Sequence, residues 1–87
     1  MSKKTILRNH ISYSILRKTK NLVTPNEIVS ELNISKQRVH YWLQKFKKEE
    51  WIESPFHGHY EITDSGKTII DTYEQGFNKD LVRLENM

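Results

Sequence analysis

Four stretches of the chain carry apolar residues at helical spacing, and between the last two lies a short run that alternates as strands do. In residues 4–19, KTILRNHISYSILRKT, Leu7, Ile11 and Ile15 stand four apart with Ile6 and Leu16 alongside. That spacing predicts one apolar stripe of a helix, and Arg8, Arg17 and Lys18 fall mostly off it. KNLV follows with little helical pattern and reads as a loop or a very short strand. TPNEIVSELN then opens on a start signal. Thr24 can cap, Pro25 suits the first helical position, and Glu27, three residues after Thr24, completes a capping box. Ile28, Val29 and Leu32 supply the buried face of a helix about two turns long. Asn33 tolerates the left-handed conformation that ends a helix. Ile34 can then tuck inward, and Ser35 can cap the next helix.

In SKQRVHYWLQKFKK, Val39, Leu43 and Phe46 follow i, i+4, i+7, with Trp42 at the border of the stripe. The spacing predicts a helix over about residues 35–49. Two helices joined by Asn33-Ile34-Ser35, with an apolar residue in the middle of the turn, have a helix-turn-helix layout. WIES, PFHG and HYEIT then read as strand, turn and strand over about residues 51–63, with Pro55 and Gly58 marking the turn. Trp51, Ile52, Tyr60 and Ile62 supply its inward side chains. Thr63 or Asp64 caps a last helix, DSGKTIIDTYEQGFNKDLVRLEN, where Ile70, Tyr73, Phe77, Leu81 and Leu84 are spaced 3, 4, 4, 3.

Charge changes this picture. Residues 35–48 contain no acidic residue, and Lys36, Gln37, Arg38, His40, Tyr41, Gln44, Lys45 and Lys48 face away from the apolar stripe. Cations in the first turn oppose the helix dipole and cost a few tenths of a kcal/mol, so Lys36 and Arg38 imply an anionic partner. The asymmetry extends to the halves of the chain. Residues 1–48 hold eleven Lys and Arg against Glu27 and Glu31, a balance of +9; residues 49–87 hold three against nine Asp and Glu, a balance of −6. A basic half of this kind points to a polyanion.

The 87 residues form one small domain by length, without cysteine to brace it. No apolar run approaches the roughly 20 residues that span a bilayer, and MSKKTILRNH lacks the apolar core of a secretory signal. A soluble, cytoplasmic, nucleoid-associated protein is expected. No Gly-rich phosphate loop, His-Glu metal set or cysteine nucleophile is present, so no enzyme and no cofactor is expected. His57 and His59 stand one residue apart without a cysteine or carboxylate cluster, too few ligands for zinc.

The stretch from Val23 to Gly66 resembles the prokaryotic winged helix-turn-helix regulators, especially the multiple-antibiotic-resistance-regulator (MarR) type and its archaeal relatives. The resemblance rests on VTPNEIVSELNISKQRVHYWLQKFKKEEWIE and on Tyr60-Glu61-Ile62-Thr63-Asp64-Ser65-Gly66, similar to the Y-x-L-T-x-x-G junction of those regulators. It implies a mainly α fold with a small β-hairpin wing (α+β), and a recognition helix that enters the major groove. Gln37 and Arg38 then face base edges, Gln on adenine and Arg on guanine. His40, Tyr41 and Gln44 face a base or a phosphate, while Ser35, Lys36, Lys45 and Lys48 hold phosphate. His57 and His59 would lie along the minor groove. The chain departs from the family in two places. Glu50 stands where many members have Gly, and Pro55-Phe56-His57-Gly58-His59 lacks the Arg or Lys common at a wing tip.

A winged-helix core needs only the start of its last helix, yet here the pattern continues to about Leu84. Residues 1–66 are expected to form the DNA-binding core and residues 67–87 a dimerisation helix. A homodimer with Tyr73, Phe77, Leu81 and Leu84 at its seam is predicted. Two-fold symmetry then sets the basic helices about 34 Å apart, matching a palindromic double-stranded DNA site. The expectation is a transcriptional regulator with no small-molecule ligand; the alternative is a winged-helix module that binds protein partners.

Overall fold

The computed structural model describes the backbone of residues 10–86 and the side chains of 11–75. Ile6, Leu7 and Arg8, and the side chains of Phe77, Leu81 and Leu84, lie outside the described residues. The elements run α1 (His10–Lys18), α2 (Pro25–Leu32), α3 (Lys36–Lys48), β1 (Ile52–Glu53), β2 (Glu61–Ile62) and α4 (Asp64–Asn86). This is a mostly helical winged-helix architecture with one antiparallel hairpin.

The helix boundaries follow from local chemistry. Thr24 accepts the Glu27 N–H and the Glu27 carboxylate accepts the Thr24 N–H, so the capping box of α2 is complete. Asn33 ends that helix at φ 55°, and its N–H donates to the Val29 carbonyl. The three-residue turn expected from the sequence is therefore the one that forms. Helices α1, α2 and α3 converge on Ile15, Leu16, Ile28, Val39, Leu43 and Phe46, each at most 1% exposed.

The exit from α3 is a Schellman turn. The Glu50 N–H donates to the Lys47 carbonyl at 3.0 Å, and the Trp51 N–H to the Phe46 carbonyl at 2.9 Å. The Phe46 and Trp51 rings stack at 5.7 Å, the apolar contact that accompanies such a turn. This geometry requires a left-handed residue, and Glu50 supplies it at φ 65°. Glu50, standing where the regulators it resembles often carry Gly, therefore leaves the turn intact at an energetic cost, about 1–2 kcal/mol for a residue with a Cβ. Part of that is offset because Gly has more freedom to lose on folding. Glu50→Gly is expected to stabilise the domain by about 0.5–1 kcal/mol. A thermal melt should show it as a rise of a few degrees; an unchanged or lower midpoint would contradict the strain.

The hairpin is shorter than its sequence suggests. Only Ile52↔Ile62 and Glu53↔Glu61 pair in register. KNLV resolves into a one-residue bridge, with Val23 and Tyr60 exchanging hydrogen bonds of 3.0 and 2.8 Å. Thr63, not Asp64, caps α4. Its hydroxyl oxygen accepts the Gly66 N–H and its hydroxyl proton goes to the Glu50 carbonyl, while its own N–H donates to the Trp51 carbonyl. Gly66 is buried where α4 crosses this point. A Cβ there would sit 2.2 Å from the Trp51 carbonyl oxygen and 2.6 Å from Ile62 Cγ1.

Helix α4 continues for 23 residues, about 34 Å. Its middle is tied to α1. The rings of Tyr13 and Tyr73 stack at 4.6 Å, and the Tyr13 hydroxyl donates to the Glu74 carboxylate. Burial lifts the Tyr13 phenol above its usual range and Glu74 adds to the rise, while Arg17, 3.4 Å from the hydroxyl, opposes it.

Candidate nucleic-acid interface

Helix α3 is built with two unlike faces. Its inward side chains Val39, Leu43 and Phe46 are buried, and that anchorage fixes its rotation. Lys36, Gln37, Arg38, Tyr41, Gln44, Lys45 and Lys48 are exposed and His40 is half-buried, so the side chains expected to face out share one surface. Ser35 is the N-cap, its Oγ accepting the Arg38 N–H at 3.1 Å. The cap uses Ser35 Oγ as an acceptor and leaves its hydroxyl a donor.

Among the described residues, no carboxylate forms an ion pair with the cations of this face. Among the described residues the one ion pair is Lys18–Glu31, at 2.7 Å on α1 and α2. Lys45 instead lies over the Tyr41 ring, with its Nζ 5.5 Å from the centroid. Tyr41 is 53% exposed and begins a run of rings that passes inward. Tyr41 meets Trp42 edge-on at 5.2 Å, and Trp42 stacks on Phe46 at 5.9 Å. Trp42 is thus a half-buried support for the face, while Tyr41 is its aromatic outpost. Lys47 is exposed too, but it borders Glu50, Glu53 and Asp64 on the other flank.

The hairpin brings His57 and His59 to one exposed turn, away from the cationic face along the chain. His59 Nδ1 lies 3.1 Å from the His57 carbonyl oxygen, and the His59 N–H donates to the Phe56 carbonyl. Phe56 carries no signal in the sequence, since one aromatic in a Pro/Gly turn breaks no period. Tyr73, expected at a dimer seam, is half-buried and engaged with Tyr13 inside the chain. Among the described residues no group of three or more His, Cys, Asp or Glu is placed to hold a metal, and no helix is long and apolar enough to cross a membrane.

A family model described as winged helix-turn-helix matches residues 7–80. No curated protein and no solved structure matches the chain.

Proposed function

The chain belongs to the winged helix-turn-helix family, a DNA-binding fold, and from that premise we propose that it is a homodimeric, sequence-specific regulator of transcription. Within the family we assign it to the MarR-like type on its Tyr60–Gly66 junction. The observation that carries the reading is the α3 surface: four exposed cations without a carboxylate partner, backed by a buried apolar stripe. Isolated in water, such a face gains nothing from its charges; against phosphate it gains counterion release.

In this reading α3 lies in the major groove. Gln37 and Arg38 face base edges, Ser35, Lys36, Lys45 and Lys48 hold phosphate, and His40, Tyr41 and Gln44 sit between the two roles. His57 and His59 approach the adjoining minor groove. Arg38→Ala is expected to weaken a selected site by about 1–3 kcal/mol and to relax preference at one base pair. A titration across a set of single-base variants reads both effects; parental affinity with parental preference would remove Arg38 from base readout.

The dimer follows from the last helix. Helix α4 serves the core through Ile69, Ile70 and Tyr73 and then runs on to Asn86, and Phe77, Leu81 and Leu84 recur in the sequence at seam spacing with Tyr73 at the inner end. Phe77→Glu together with Leu81→Glu is expected to yield monomers in sedimentation, and a double variant that sediments as the parent does would dispose of the seam. The protein works in the cytoplasm, on the nucleoid.

A further inference from the structure

The hairpin tip does not share the chemistry of α3. Residues 54–60 hold no Lys, Arg, Asp or Glu, and beneath them Glu53 stands directly opposite Glu61. Like charges in register repel each other across a hairpin, and this pair would also repel a phosphate strand. The flanks of the hairpin are therefore unsuited to lie along a DNA backbone. The neutral tip is what can approach a duplex.

At that tip stands Phe56, 62% exposed, the most exposed large hydrophobic side chain among the described residues. It is held there rather than left loose. The Ser54 hydroxyl and the His59 N–H both donate to the Phe56 carbonyl, at 2.8 and 3.0 Å. Its ring meets the His59 ring edge-on at 6.3 Å, and Gly58, at φ 78°, closes the turn. A turn so tied presents an aromatic ring to whatever the tip meets. The hairpin also springs from the last turn of α3 through the Trp51–Phe46 hydrogen bond. With α3 in the major groove, the groove across one phosphate strand from its end is the minor groove.

We propose that Phe56 is an apolar wedge that enters a base step of the minor groove next to the α3 site and kinks the duplex there. This rests on the DNA-binding reading above and names the DNA it favours. Side chains such as Phe and Leu unstack a step and kink the helix by about 20–90°. Pyrimidine–purine steps yield most easily, so a TA or CA/TG step is preferred under the tip. His57 and His59 flank the wedge with ring nitrogens that can donate to the minor-groove acceptors.

The experiment places 2-aminopurine at the step under the tip of a selected duplex, with a fluorophore pair at its ends. Bound parent protein should raise the 2-aminopurine signal and shorten the end-to-end distance. Phe56→Ala should lose both effects and bind roughly a hundredfold more weakly, the scale of two base–aromatic stacks, one from each subunit. Its salt dependence should stay parental, because Phe56 neutralises no phosphate. Phe56→Leu should restore part of the kink. The side chain is exposed, so circular dichroism should report an unaltered fold. An alanine variant that binds and bends as the parent does would overturn the wedge and leave the α3 reading standing. A parent protein that ignores duplexes at low salt would overturn both.

Discussion

Gly66→Ala is expected to destabilise the domain by about 3 kcal/mol or more, the upper end of what overpacking costs. The methyl group would meet the Trp51 carbonyl oxygen and Ile62 Cγ1 at distances no Cβ tolerates. One of those contacts is backbone, so a rotamer change cannot relieve it. Either α4 lifts from the hairpin, or the Trp51 segment moves and loosens the Schellman turn that ends α3. An 87-residue domain holds about 4–13 kcal/mol in total, so this single methyl removes a large share. Urea unfolding followed by circular dichroism measures the loss. Ser65→Ala, exposed and one residue earlier, serves as the control and should stay within about 0.5 kcal/mol of the parent. Equal midpoints for the Gly66 and Ser65 variants would mean the close crossing is not real.

The second large effect concerns salt. Lys36, Lys45 and Lys48 are assigned to phosphate, which makes six cation–phosphate contacts in a dimer. Each contributes a slope of about −0.9 to log affinity against log salt. Raising salt from about 50 to 200 mM should then weaken duplex binding about a thousandfold. Replacing Lys45 and Lys48 with Ala should flatten the slope by between three and four, since two cations are lost from each chain. A winged-helix module that docks on protein partners predicts neither result. A gel-shift series across salt, run with random and selected duplexes, reads the slope directly. A flat series would end the DNA-binding reading and favour that rival.

Much of this fold was legible because its signals are local. The capping box at Thr24, the left-handed Asn33 and the Ser35 cap each act within three or four residues, and all three form as expected. The outward set on α3 was legible for the same reason, as a rotation fixed by Val39, Leu43 and Phe46. Long-range pairings left no such mark. The Val23–Tyr60 bridge joins residues 37 positions apart and Tyr13–Glu74 joins residues 61 apart, and no period in the chain encodes either. Alternation alone over-extends the strands, because it cannot tell paired residues from the turn that follows them. Gly66 showed in a motif, but its reason, the crossing over Trp51, exists only in three dimensions. Phe56 lay hidden because a lone apolar residue in a turn is ordinary until its exposure and tethering are known.

The clasp of Tyr13 on Tyr73 and Glu74 makes a pivot of the middle of α4. From Glu74 to Asn86 the helix projects about 18 Å. A tilt of about 10° at the pivot would sweep its far end by about 3 Å, close to the rise of one base pair. In the proposed dimer, then, the phasing of two half-sites is governed by a tyrosine pair that never touches the nucleic acid.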